Sequence, residues 1–475
     1  MENKFMSNLI WRFAERFGAQ VITFIVSIVL ARLLVPEMYG TIALVMVFIN
    51  VLQVFIDSGL GNALIQKKNA DETDFSTVFY FNMFICICLY VGMYIAAPFI
   101  AQFYSNQSMT KIIRVIGIIL IISGVKNVQQ AYVSRNMLFK KFFFSTLGGT
   151  IFSAVIGVFL AYTGAGVWAL VAQHVSNVLI DTIILWITVK WRPKLIFSFE
   201  RFKVLFSFGW KLLISGLIDT FYNNLRDLII GKKYNASSLA YYTNGQKIPG
   251  LVVGNINTAI GSVLFPTLSK EQDDKENLKQ HVRRAIQVSS YVIWPVMLGI
   301  AACSKSLITV LLTEKWAPTV PFLQIACIVC GFLPIHTTNL QVINAIGRSD
   351  IFLKLEIIKK AIGLGVLLVS MKYGVMAIAL SAILTEITSA FINSYPNTKL
   401  LNYSRIEQIK DVAPSFILSI VMCAIVLQMN NLEMKAISIL CIQIILGVTI
   451  YLAGSILFKF DSFNYILNNM RKYRR

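Results

Sequence analysis

The chain has 475 residues, of which 56% are hydrophobic, and a net charge of +20; its mean hydropathy is +0.69. Too little polar surface is left for a water-soluble fold of this length, which excludes a soluble enzyme or a soluble nucleic-acid-binding domain. The apolar runs are continuous and do not alternate over about 10 residues, which selects helices over a barrel, so the fold class is an all-α membrane protein.

A spanning helix needs about 20 mostly apolar residues, and about fourteen runs meet that length or come near it. In chain order they are 13–31, 41–65, 78–100, 112–133, 142–162, 166–189 and 204–230. They continue as 241–265, 286–310, 320–346, 355–370, 374–395, 412–427 and 436–458, the eleventh and thirteenth being short. The first run carries Glu15 and Arg16 near its start and no small-residue cleavage site after it, so it reads as a retained helix.

Most of the 43 Lys and Arg fall in the terminal segments and the even-numbered loops. The odd-numbered loops hold only Arg32, Lys111, Lys232, Lys233, Lys305, Lys315, Lys372 and Lys435. This is the positive-inside pattern, and it predicts a multi-pass protein with both termini cytoplasmic. The basic excess is therefore an orientation signal, and no nucleic acid is expected as a partner. The eighth loop contains SKEQDDKENLKQHVRR, a short amphipathic segment with affinity for anionic headgroups.

No cofactor or metal is expected. Cys327 and Cys330 form a CxxC, but without a second pair or a neighbouring His cluster they read as small buried hydrophobes. Nor is an enzyme expected. No loop exceeds about 20 residues, and no P-loop, GxSxG or HExxH motif is present.

The sixth loop, 190–203, reads as a seam. Phe208-Gly209 opens the seventh run as Phe17-Gly18 opens the first, and in both a basic residue (Arg32, Lys232) then precedes a Tyr (Tyr39, Tyr241). Two similarly oriented six-helix bundles are predicted, 1–195 and 196–400, with two additional transmembrane helices and a basic cytoplasmic tail in 401–475.

Charges lie well inside these runs: Arg16, Asp57, Lys126, Asp181, Lys211, Asp219, Arg226, Lys247 and Glu386. A charge at the bilayer centre costs roughly 2.5–3.5 kcal/mol even on the most lenient scale, so these groups line a watery cavity or pair inside a bundle. Such a cavity suggests transport. The acids Asp57, Asp181, Asp219 and Glu386 suit either a coupling proton or Na⁺, or the role of counter-ions, with Arg16–Asp57 one such pair. His174 reads as a satisfied polar residue. At His336 the neighbouring Pro334 suggests a broken helix and not ligand chemistry.

Five strings carry a family resemblance: LARLLVPEMYG at 30–40, IDSGLGNALIQ at 56–66, FGWK at 208–211, DLIIGKKY at 227–234 and VLFPTLSKEQDD at 263–274. In order and position they resemble the polysaccharide flippases (O-antigen and teichuronic-acid type) of the multidrug/oligosaccharidyl-lipid/polysaccharide exporter superfamily. Tyr234-Asn235 stands where that family usually has Leu-Gly, a difference confined to a loop. The resemblance implies a transporter that flips a polyprenyl-pyrophosphate-linked oligosaccharide across the bacterial or archaeal cytoplasmic membrane by alternating access. The alternative cargo is that of a cation-coupled multidrug exporter from the same superfamily. The implied partners are the lipid-linked glycan, membrane lipids, and a polysaccharide polymerase or other export machinery.

The headgroup of such a substrate is a diphosphate, which cannot cross hydrocarbon unpaired. Arg or Lys supplies charge-assisted hydrogen bonds to it. Arg32, Lys126, Lys211, Arg226 and Lys247 sample both leaflets and both bundles, and they are the candidate cationic cavity. A drug-cation site would favour acids, and here the intramembrane bases match or outnumber them.

Overall fold

The computed structural model describes residues 2–57, 59–272 and 274–473, and the side chains of all of these except 2–9, 57, 208, 469, 470, 472 and 473. The described residues form helices and no strands. They divide into two compact units, Met1–Ala240 and Tyr241–Arg475.

The first unit holds α1 (Glu2–Leu33), α2 (Pro36–Asp57), α3 (Leu60–Gln66), α4 (Glu72–Phe103), α5 (Met109–Ile116), α6 (Ile118–Arg135), α7 (Phe139–Tyr162), α8 (Val167–Thr188), α9 (Phe199–Lys233) and the first turn of α10 (Ala236–Lys270). The rest of α10 belongs to the second unit. There it is followed by α11 (Lys275–Ala302), α12 (Ser304–Leu312), α13 (Val320–Gly331), α14 (Leu333–Ala345), α15 (Ser349–Ser370), α16 (Val375–Leu400), α17 (Arg405–Gln428), α18 (Ala436–Leu457) and α19 (Asp461–Tyr473).

Each expected run coincides with a helix or with two consecutive ones. Eleven of these elements are long and apolar enough to cross a membrane, and up to twelve if α9, bent by 48° between Ser207 and Gly209, is one span. Two expected runs fall short for a physical reason. The fourth is interrupted at Gly117 between α5 and α6 and carries Lys126. The eleventh, α15, has Lys354, Glu356, Lys359 and Lys360 in its first half.

Sequence signals set the helix ends. Asp71 and Asp74 form a capping box at the start of α4, and Ser404 with Glu407 forms another at α17. Asp274 caps α11 by accepting from the backbone N–H groups of Glu276 and Asn277. Large apolar side chains stand exposed along many helices, among them Phe84, Phe99, Phe152, Phe159, Ile187, Ile445 and Leu457. On a water-soluble protein so much apolar surface would be a binding or aggregation site; on spanning helices it meets lipid.

In the first unit the core gathers Leu64, Phe75, Val78, Phe79, Val128, Phe142 and Trp191. The segment after α8 is fastened beneath it: Gln129 Nε2 donates to the Trp191 carbonyl at 2.9 Å, and the backbone N–H of Lys194 donates to Ser76 Oγ at 3.0 Å. In the second unit α11 packs against α13, α14 and α17. Its Trp294 lies edge-on to Phe332 (5.2 Å between centroids) and Phe416 (4.5 Å).

Each unit also clamps a buried carboxylate near an even-numbered loop. Asp74 receives Lys67 Nζ at 2.7 and 2.8 Å, with Arg201 at 3.3 Å. Asp411 accepts from Arg283 through Nε (2.8 Å) and a second guanidinium nitrogen (2.9 Å), from Gln287 at 2.8 Å and from Tyr403 Oη at 2.8 Å. Burial, then the bond to Asp411, pushes the Tyr403 phenol well above its ordinary range. Arg283→Ala removes two charge-assisted bonds and leaves the carboxylate buried, so it is expected to destabilise by about 2 kcal/mol. Tyr403→Phe should cost about half of that. Thermal unfolding of the purified protein checks the order; equal midpoints for Arg283→Ala and the parent would remove Asp411 from the stabilising set.

Candidate functional site

The charges inside the helices differ in how deeply they are buried. Lys126 on α6 reaches Asp181 on α8, Nζ to Oδ2 3.1 Å, with both side chains largely buried. Helix α7 closes over this pair at Gly149, where an added Cβ would stand 2.9 Å from the Asp181 Cβ and 2.8 Å from the Asn177 carbonyl oxygen. Amides surround it. Asn82 Nδ2 donates to Asn127 Oδ1 at 3.2 Å, and Asn177 Nδ2 donates to Ser153 Oγ at 3.2 Å. This first-unit seam is polar and hydrogen-bonded, as a carboxylate and an ammonium in a low-dielectric bundle require.

Other candidates lie apart from it. Arg32 ends α1 and is exposed; Arg16, also on α1, is exposed. The expected Arg16–Asp57 pair cannot be followed, because the Asp57 side chain lies outside the described residues. The buried acid of α1 is instead its neighbour Glu15, which accepts from Arg12 at 2.6 Å and from Thr146 Oγ1 at 3.3 Å. Helix periodicity explains the difference: residues 15 and 16 differ by about 100° around α1, so only one can face α7.

Lys211 and Asp219 are exposed on α9, and Arg226 is half-buried there with its Nε shielded from solvent. Lys247 is exposed on α10. Lys211 and Arg226 therefore belong to the first unit and Lys247 to the second.

Glu386 on α16 has a partner that the sequence reading set aside. Its Oε2 lies 2.9 Å from His336 Nε2 on α14, and His336 Nδ1 lies 3.2 Å from Asn393 Nδ2. The polar contacts continue along the same helices. Asn397 Nδ2 donates to Asn339 Oδ1 at 2.6 Å, and Asn339 Nδ2 donates to Gln408 Oε1 of α17 at 3.0 Å. One signal for this seam was present in the sequence. Ser381, Thr385, Ser389, Asn393 and Asn397 recur every fourth residue, which puts them on one face of α16, and all five are buried. The run that carries His336 is broken, as Pro334 suggested: α13 ends at Gly331 and α14 begins at Leu333, with Pro334 in the first turn of the new helix, where a missing N–H costs nothing.

Cys327 and Cys330 are buried and free, and among the described residues no three of His, Cys, Asp and Glu gather as metal ligands.

The polysaccharide biosynthesis protein family matches over residues 29–321. The chain is 30% identical over 306 residues to the teichuronic acid biosynthesis protein TuaB of Bacillus subtilis (strain 168), a match covering 63% of this chain and 62% of that protein. It is 23% identical over 344 residues to the succinoglycan biosynthesis transport protein ExoT of Rhizobium meliloti (strain 1021), covering 72% and 70% of the two chains. Among solved structures, lipid II flippase MurJ in an inward closed conformation superposes with a TM-score of 0.76 at 16% identity, over 95% of this chain and 98% of that one. An inward-facing multidrug resistance MATE family transporter of the MOP superfamily gives 0.60 at 15% identity, over 83% and 99%. At these identities the structural likeness is one of fold.

Proposed function

Since the chain belongs to the polysaccharide biosynthesis protein family, we propose that it is a flippase of the cytoplasmic membrane. It moves a polyprenyl-diphosphate-linked oligosaccharide from the inner to the outer leaflet for a surface polysaccharide. The observation that carries the reading is the family match; the similarity to a teichuronic acid biosynthesis protein and a succinoglycan transport protein, and a fold shared with a lipid II flippase, support it. The fold shared with a multidrug transporter leaves the cargo open, and the intramembrane Lys and Arg favour an anionic one.

In this reading all fourteen runs cross the bilayer, as two six-helix lobes (1–195 and 196–400) and a final pair, with both termini cytoplasmic. The charged α6 and α15 cross because protein and water, not lipid, meet their polar faces. The polyprenyl tail stays in lipid while the diphosphate passes a wet, cationic lining. Lys211 and Lys247, both exposed within spanning helices, are its main phosphate contacts, with Arg32 and Arg226 flanking and alternating access moving the site between leaflets. No step makes or breaks a covalent bond, so the protein is a carrier and not an enzyme. A polysaccharide polymerase on the outer face would consume the product.

The test is reconstitution into vesicles with a fluorescent polyprenyl-diphosphate oligosaccharide, reading the fraction that a membrane-impermeant quencher reaches over time. The parent protein is expected to speed transbilayer movement over empty vesicles. Lys211→Ala and Lys247→Ala should each slow it by about tenfold, the loss of one charge-assisted contact, with unchanged yield and melting. No acceleration by the parent protein would overturn the reading. Normal rates in both variants would remove the cationic lining from it.

A further inference from the structure

The His336–Glu386 contact sits at the middle of its helices. Glu386 is near the midpoint of α16 (Val375–Leu400), and His336 is near the middle of the run formed by α13 and α14. His336 is 7% exposed, and the Glu386 side chain is 25% exposed. The carboxylate therefore reaches accessible space while the imidazole is enclosed behind it.

The geometry around the ring accommodates two protonation states. Nε2 faces the carboxylate at 2.9 Å without an aligned hydrogen bond. Nδ1 faces the amide of Asn393, which is 1% exposed and whose Oδ1 is buried without a hydrogen-bond partner. With Asn393 Nδ2 donating to Nδ1, the ring is neutral and carries its proton on Nε2. With the Asn393 amide turned over, Oδ1 accepts from Nδ1–H, and a doubly protonated imidazolium is held between an amide oxygen and a carboxylate. The seam can exchange those states without losing the contact to Asn393.

The helices packed around the pair carry ionisable groups of their own. From α13, Cys330 lies within electrostatic reach of Glu386. On α17, Gln408 presents an uncharged amide to Asn339, Arg405 lies over the Tyr395 ring, and Asp411 is spent on Arg283, Gln287 and Tyr403. On α15, Lys359 pairs with Glu356 at 2.5 Å, and Lys360 beside it is half-buried. On α11, Trp294 lies against Phe332, while Lys279 is held by Glu407 and His281 by Glu271.

We infer that His336 and Glu386 form a proton-binding pair that couples movement of the second unit to pH. The proton balance is simple. A neutral imidazole beside a carboxylate carries one negative charge; uptake of one proton from water gives an imidazolium–carboxylate pair of zero net charge, and opening returns the proton to water. Enclosing a net charge in a bundle costs far more than enclosing a hydrogen-bonded neutral pair. A conformation that seals Glu386 from water therefore takes the proton, and one that wets it releases the proton. The coupling rests on the transport reading above, but the chemistry of the pair does not.

The chain has three histidines, so ring ¹⁵N NMR of the full protein in lipid nanodiscs can follow each, with His336→Asn assigning the signal. Spectra at pH 8 and pH 5 are expected to show the His336 ring gaining its second proton on acidification. Glu386→Gln should leave a smaller share of the ring doubly protonated, the effect of removing an adjacent carboxylate, and Glu386→Asp should restore most of it. A ring that stays neutral at both pH values, or a protonated share unmoved by Glu386→Gln, overturns the pair. A protonated share that changes with Na⁺ but not with K⁺ overturns it in favour of a sodium site. In vesicles, flipping by the parent protein should change at least severalfold between pH 6 and pH 8, and in Glu386→Gln that dependence should flatten. A parent rate independent of pH overturns the coupling. Failure of the parent to flip at any pH overturns the transport reading instead, and leaves the titration result standing.

Discussion

Replacing Gly40 by Leu should abolish the folded protein. Gly40 lies in the first turns of α2, and a Cβ built on it would stand 1.7 Å from the carbonyl oxygen of Ala236 and 2.4 Å from its carbonyl carbon. Both atoms are backbone, at the start of α10 where the chain turns after α9. No rotamer change can make room, so α2 and that turn must separate by more than an ångström. Packing interiors give up about 1–3 kcal/mol for an ordinary overpacked methylene, and more where backbone must move. Gly231 supplies a graded comparison. Its Cβ would meet Leu44 Cδ2 at 2.2 Å, a side-chain terminus that can swing away, so Gly231→Ala should be milder. Gly92 and Gly365 have nothing within 4 Å and are control sites. Alanine there should be neutral or stabilise by up to about 1 kcal/mol through helix propensity. Gel filtration of detergent extracts reads the outcome. A monodisperse Gly40→Leu peak with the parent's melting midpoint would show that the approach of α2 to Ala236 is not a fixed feature.

How legible such features are in the sequence depends on their range. Helices were legible because an apolar run of spanning length satisfies its own backbone whatever lies beside it. Breaks within runs were legible only at Phe332, which Pro334 marks, since Gly117 and Cys303 stand in stretches as greasy as their surroundings. The pairing of intramembrane charges was only half legible. Composition shows that Lys126 and Asp181 need partners, but they are 55 residues apart in the chain, and only the packing of α6 on α8 joins them. Which of Glu15 and Arg16 is buried was not legible, because two adjacent charges fall on different faces of α1 and only packing selects between them. His336 was set aside for a local reason, the nearby proline, although the fourfold spacing of polar residues on α16 was there to be read.

Lys126 is where those two readings separate, because a cavity-lining base and a structural ion-pair partner respond differently to one set of substitutions. Lys126→Met leaves the Asp181 carboxylate without its ammonium under the closure of α7 at Gly149. Asp181→Asn leaves the ammonium instead. Stripping one partner from a buried pair costs about 3–5 kcal/mol, since the remaining charge is uncompensated. The two losses should be unequal. Lysine has a four-carbon stem with which to carry its charge toward water, and aspartate has one methylene, so Lys126→Met should be the worse. The double variant, with neither charge, should recover much of the deficit, with a coupling energy of up to about 3 kcal/mol in a double-mutant cycle of melting or denaturant data. Transport by the double variant then decides the role. If Lys126 serves only Asp181, recovered stability brings recovered flipping. If its ammonium also meets the diphosphate, the stable double variant flips no better than Lys126→Met. Additive losses in the cycle would refute the pairing itself, because two groups 3.1 Å apart in a low-dielectric bundle cannot be energetically independent.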